Sequence, residues 1–150
     1  MVAVLLAGAG GCGQSGVKRG RAGTPRQRLE FKGEKGKLVI EGAGRRLPKG
    51  FPPDMPIYKP SRVKSTISSR GPGEAPMTMA IFTTKTKVPD VAAFYQNNLA
   101  AGGWTVNNTV TLGESAVTYA VTKVDQAGSI SISEDKETNG TIISINMVVK

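Results

Sequence analysis

The chain has 150 residues, a formal net charge of +9, no histidine and a single cysteine. That length suits one domain able to bury one hydrophobic core. The missing histidines remove the commonest general base, proton shuttle and metal ligand together, and a lone cysteine excludes an intrachain disulfide or a cysteine-rich metal cluster.

The first residues are the apolar run Val2-Ala3-Val4-Leu5-Leu6-Ala7, then the small residues Gly8-Ala9-Gly10-Gly11, then Cys12. This arrangement resembles the end of a bacterial lipoprotein signal peptide, in which small residues precede the Cys that becomes the lipidated first residue of the mature chain. It implies a signal over residues 1–12, lipidation of Cys12, and a lipid-anchored address in the bacterial cell envelope, on its periplasmic or extracellular face. The same stretch matches G-x-G-x-x-G between Gly8 and Gly13, a pattern that serves dinucleotides only when a helix follows directly. Gln14 to Pro25 contains three more glycines and a proline and cannot supply that helix. The phosphate-loop pattern fails too, because Gly16 is followed by Val17 rather than by Lys. No cofactor is expected.

The charge is unevenly placed. Val17 to Lys49 carries eleven basic residues against three acidic ones, a balance of +8, whereas Gly50 to Lys150 carries nine against eight. Residues 13–46 therefore read as a basic, Gly-rich and largely disordered linker. It suits a solvated tether, or a polybasic segment that meets an anionic membrane surface beside the lipidated Cys12. A nucleic-acid-binding arm over 17–49 is the alternative. Phe31 is its only aromatic, so it lacks the stacking platform of single-strand binders, which argues against that alternative. Inside the linker, Lys37-Leu38-Val39-Ile40-Glu41 has the form of a short strand between Gly36 and Gly42.

Residues 47–150 read as the globular domain. Five prolines between Pro48 and Pro60 exclude helix and central strand, giving an extended lead-in whose Leu47, Phe51, Met55, Ile57 and Tyr58 are available to pack on the domain. Next come alternating segments: Val63, Ser65 and Ile67 on one face, then Met77, Met79 and Ile81 on one face, with Gly71-Pro72-Gly73 between them. Val88 to Trp104 is the one amphipathic helix. Val91, Phe94, Tyr95 and Leu99 fall at i, i+3, i+4 and i+8, Pro89 and Asp90 suit a first turn, Gly102-Gly103 suit a C-cap, and the sole Trp104 follows. These five residues, Val91, Phe94, Tyr95, Leu99 and Trp104, are the expected fold-defining core.

Beyond the helix, Trp104, Val106, Asn108, Val110 and Leu112 alternate with Thr105, Asn107, Thr109 and Thr111. Val117, Tyr119 and Val121 follow, then Ile130 and Ile132 between Ser129, Ser131 and Ser133. Ile143, Ile145, Met147 and Val149 come last, after an Asn139-Gly140 turn. The pattern predicts an α+β fold, an antiparallel sheet of about five to six strands with one helix packed on one face, in the order β-β-α-β-β-β-β. A Ser/Thr-rich face bearing Thr105, Asn107, Thr109, Ser129, Ser131 and Ser133 is then a candidate interaction surface.

A proline-rich lead-in, two strands, then a helix carrying Phe94-Tyr95 and ending in Gly103-Trp104 is similar to a group of small uncharacterised bacterial envelope lipoproteins. The similarity spans Leu47 to Lys150, and it implies a tethered α+β domain without transferring any catalytic residue. The carboxylates are scattered, and Asp125, Glu134, Asp135 and Glu137, the densest group, fit no calcium loop. No acid and base stand at a defensible spacing. The sequence therefore reads as a non-enzymatic, membrane-tethered accessory or binding domain of the bacterial envelope, with an envelope protein as a candidate partner. An enzyme of unrecognised type is the rival class.

Overall fold

A computed structural model describes residues 28–42 and 46–149 of the chain. The signal expected over 1–12, with Cys12, and the first half of the linker lie outside the described residues.

Among the described residues, eight strands form one antiparallel sheet: β1 (Arg28–Gly33), β2 (Gly36–Gly42), β3 (Arg62–Arg70), β4 (Met77–Thr84), β5 (Thr105–Leu112), β6 (Ala116–Lys123), β7 (Gln126–Asp135) and β8 (Gly140–Val149). One helix, α1 (Val88–Asn98), lies between β4 and β5. The strands stand in the order β1-β2-β3-β4-β8-β7-β6-β5, so β8 inserts beside β4 and the last four strands run back as a meander to the free edge at β5. The expectation of five to six strands ordered β-β-α-β-β-β-β is thereby corrected to eight strands ordered β-β-β-β-α-β-β-β-β. The difference is a hairpin inside the supposed linker. Leu29 and Phe31 of β1 alternate with Arg28, Glu30 and Lys32, and pair with Ile40 and Leu38 of β2. In composition this is a charged run; in period it is a strand.

The core lies on one face of the central strands. Ala80 and Phe82 of β4, Ile143, Ile145 and Met147 of β8, Ile130 and Ile132 of β7, and Val117, Tyr119 and Val121 of β6 are all buried there. Over them sit Val88, Val91, Ala92, Tyr95 and Leu99 of the helix, Trp104 behind it, and Phe51 and Met55 of the lead-in. Four of the five expected core residues are buried, and Phe94 is only half-buried, at the rim beside Tyr58. The lead-in is less extended than the prolines suggest. Phe51 N–H donates to Pro48 O at 3.1 Å and Met55 N–H to Pro52 O at 3.3 Å, two turns that aim both side chains inward.

The helix is bounded as its sequence dictates. Its N-cap, Lys87, offers no side-chain oxygen, but Pro89 occupies the first turn and Asp90 faces the positive end of the dipole. At the other end Trp104 N–H donates to Leu99 O and Gly103 N–H to Ala100 O, both at 3.0 Å, with Gly103 at φ +78°. This is a Schellman closure, and it brings Trp104 back against Leu99.

Two single-residue bulges decide which way side chains point. Lys64 is extra in β3, so Val63 pairs with Phe82 on the core side while Ser65 and Ile67 face the opposite side with Ile81 and Met79. Asn107 is extra in β5, so Val106 faces the core side while Asn108, Val110 and Leu112 face away. The common face expected for Val63, Ser65 and Ile67, and that for Trp104 through Leu112, are both broken at these points. On β4 the core-facing set is Thr78, Ala80, Phe82 and Thr84, not Met77, Met79 and Ile81. Both faces of that strand carry apolar residues, so alternation alone does not identify the inner one.

Candidate functional site

The helix-free face of the sheet is built by four rows of paired residues. One runs Phe31, Leu38, Ser69, Met77, Val148, Ala127, Thr122, Thr105; the next runs Leu29, Ile40, Ile67, Met79, Asn146, Ser129, Ala120, Asn108. The third passes Ser65, Ile81, Ser144, Ser131, Thr118 and Val110, and the last Arg62, Thr83, Ile142, Ser133, Ala116 and Leu112. The first two rows change character along their length: aliphatic, aromatic and Met side chains with Ser69 among them at the β1–β4 end, and hydroxyl and amide side chains with Ala127 and Ala120 among them at the β7–β5 end. Among the described residues these four rows contain no carboxylate, and Arg62 is the one charge they carry.

Of the residues expected to form a polar surface, Ser129, Ser131, Ser133 and Thr105 share this face. Thr118 joins them and donates its hydroxyl to Ser131 Oγ at 3.2 Å. Thr109 does not: it pairs with Tyr119 on the core side. Asn107 is the bulge residue, and its amide donates to Thr122 Oγ1 at 2.9 Å. Thr118 and Thr122 were legible as hydroxyls on an alternating strand, but the register that brings them beside Ser131 and Thr105 is a property of the pairing alone.

The polar residues of the β1–β2 hairpin lie on its other face. Lys37 approaches Glu30 at 2.8 Å, Arg28 reaches both Glu30 and Glu41 at 3.4 Å, and Lys32 approaches Glu30 at 3.6 Å. The bond from Lys37, helped by the neighbouring cations, holds the Glu30 carboxyl below its ordinary value.

A second feature lies at the β6–β7 turn, where a shallow depression of about 280 Å³ is lined by Asp54, Lys123, Val124, Asp125, Gln126 and Val149. Lys123 forms an ion pair with Asp54, donates to Gly102 O at 2.7 Å, and places Nζ 5.7 Å from the Trp104 ring centroid. It thereby ties the lead-in, the end of the helix and the sheet together. Trp104 Nε1 and Gln126 Oε1 are buried without a hydrogen-bond partner.

The carboxylates singled out by spacing are kept apart. Asp125 sits in the β6–β7 turn, whereas Glu134, Asp135 and Glu137 lie at the far end of β7, roughly 30 Å away at about 3.3 Å per residue. Asp135 acts locally. Thr138 donates its hydroxyl to it at 2.6 Å and Glu137 its N–H at 3.1 Å, closing the β7–β8 loop and holding the carboxyl below its ordinary value. Among the described residues no three metal-ligating side chains converge, and no helix is long and apolar enough to cross a membrane.

One helix laid across a broad antiparallel sheet, with the other face of that sheet open, defines a β-rich domain whose distinctive surface is a sheet face rather than a cleft. The START domain-like family model matches residues 63–140, from β3 through the helix into the start of β8. This is just over half of the chain, which therefore belongs to the START domain-like family. Membership is compatible with a ligand-binding, non-enzymatic role. No curated protein and no solved structure matches the chain.

Proposed function

We propose that this protein is a non-enzymatic binding domain tethered to the bacterial cell envelope through a lipidated Cys12, presenting the hydroxyl-rich half of its helix-free face to a ligand. The family match over residues 63–140 carries the binding half of this reading, because the matched stretch contains both the helix and the strands that bear Thr118, Ser129, Ser131 and Ser133. Hydroxyl groups in register across neighbouring strands offer donors and acceptors without any charge to desolvate, which suits a neutral polar ligand.

The tether half rests on the sequence. Small residues run up to Cys12, and the basic residues between Lys18 and Arg26 include no acid. Beside an acyl anchor such a stretch adds about 1 kcal/mol per cation at an anionic leaflet. The envelope lipoproteins that share the Phe94-Tyr95 and Gly103-Trp104 pattern favour the same address.

Mass spectrometry of the mature N-terminus tests the tether. A diacyl or triacyl Cys12 is expected, and Cys12→Ser is expected to move the protein from the membrane fraction to the soluble one. An unmodified Met1 on protein recovered from its native host overturns the tether.

A further inference from the structure

We infer that the apolar half of the helix-free face is a self-association surface, on which two copies of this chain pack sheet against sheet. The polarity of the β1–β2 hairpin is the first observation behind it. A hairpin at the margin of a solvated sheet keeps its apolar side toward the protein and its charges toward water. Here the charges occupy the core-side face, beyond the cover of the helix, and pair with one another there. Apart from Val39, which pairs with Glu30 on the charged side, the apolar side chains point the other way, leaving Phe31 50 % and Leu29 44 % exposed. Ile40, Ile67, Met79 and Ile81 continue the same surface inward and are half-buried by one another.

The size of the patch fits a weak, reversible contact with a second copy. With strands about 4.8 Å apart and a residue every ~6.6 Å on one face, two rows cross the five adjacent strands β1 to β4 and β8 and a third crosses β3, β4 and β8, covering roughly 400 Å² in all. Two such patches in contact remove about 800 Å² from water, the size of a weak, concentration-dependent contact. Flat sheet faces pack at about 10 Å separation with interdigitated side chains, and a two-fold axis lets one patch serve both partners.

Charge selects the second copy over a lipid surface. Docking on an anionic membrane calls for cations around the apolar patch, but Arg28, Lys32 and Lys37 project from the opposite side of the hairpin, all three engaged with Glu30 or Glu41. The patch itself meets an identical uncharged patch without leaving any ion unpaired. What opposes the pairing is the +9 carried by each chain, a long-range repulsion that salt screens. Association through this face therefore strengthens as salt rises, whereas binding to an anionic membrane weakens.

The test uses the full chain carrying Cys12→Ser, so that no acyl group contributes, and follows mass by sedimentation and light scattering across concentration and salt. Because the patch does not involve Cys12, failure of the tether and failure of this inference are separate results. Expected is a species of twice the 15.7 kDa chain mass that grows with salt. Phe31→Glu and Leu29→Lys, both at exposed positions of an edge strand, are expected to weaken it roughly tenfold or more with an unchanged circular dichroism spectrum. Val110→Lys, on the free edge strand β5, is expected to leave it intact. A monomer at every concentration and salt overturns the inference. So does a dimer broken by Val110→Lys but not by Phe31→Glu, which assigns the contact to the β5 edge. Phe31-dependent binding to phosphatidylglycerol vesicles without self-association also overturns it and makes lipid the occupant.

Discussion

Val124 holds φ at +48° while 91 % of its surface is in water, so a β-branched residue sits in the left-handed region with no packing to compensate. It is the first of two residues between the paired Lys123 and Gln126, a slot that tight hairpins give to Gly. Val124→Gly removes the Cβ clash at the cost of some chain entropy and is expected to stabilise the domain by about 1 kcal/mol, read as a rise in urea midpoint at constant m-value. Tyr95 carries strain of another kind. Burial raises its hydroxyl pKa to about 12, while Tyr58 N–H, 3.4 Å away, partly favours the ionised form. A folded pKa above the ordinary 10 contributes stability that is complete below pH 10 and is lost as pH rises through about 12. Alkaline titration of the wild type is expected to show loss of structure coupled to tyrosinate absorbance between those values. In Tyr95→Phe that loss is expected to be shallower. Equal alkaline profiles for the two proteins would contradict the assignment to Tyr95. Asp135 gives the mirror case at low pH: its lowered carboxyl contributes above the ordinary 3.8 and ceases to do so as pH falls through the lower folded value.

The helix was legible because every level of its sequence agrees: stripe, first-turn Pro89 and Asp90, and the Gly103 that its Schellman closure requires. Phe94 is the exception, since a stripe at i, i+3, i+4 and i+8 is wider than the surface it covers. Its ring stacks edge-on against Tyr58 and Tyr95, each at 5.2 Å, instead of entering the sheet. Leu99 is fully buried. Leu99→Ala is therefore expected to cost about 3–5 kcal/mol and Phe94→Ala about 1–2 kcal/mol, measured by chemical denaturation; the reverse ranking would place Phe94 in the core. The strands were less legible for identifiable reasons. An inserted Lys64 or Asn107 leaves no mark in composition, yet it turns every later residue of its strand to the other face. β4 is apolar on both sides. β1 was hidden by Arg28, Glu30 and Lys32, whose charges pair with one another along the strand and with Lys37 and Glu41 of β2 alongside. The hydroxyl half of the helix-free face was legible in type, through Ser129, Ser131 and Ser133, but its extent across β6 and β5 depends on register.

Across the molecule, the buried surface moves from one side of the sheet to the other. From β4 through β6 the helix side is apolar and covered by α1 and the lead-in; from β1 through β4 the helix-free side is largely apolar, broken by Ser65 and Ser69 of β3, and uncovered, while the helix side of the hairpin holds exposed ion pairs. Exposed pairs of this kind contribute little, a median of about 0–1 kcal/mol each, and the hairpin's own apolar side chains gain little while half in water. The hairpin is thus attached by main-chain bonds to β3 and by half-buried contacts, without a share in the core. Local opening free energy should fall steeply along the sheet from β8 outward to β1. Native-state hydrogen exchange on dilute, monomeric protein is expected to give near-global protection for β4, β6, β7 and β8, and exchange for Arg28–Gly42 at least tenfold faster. Raising the concentration until the apolar faces meet should slow exchange in Arg28–Gly42 and leave β5 unchanged, because only the hairpin then gains the cover that its own chain does not provide.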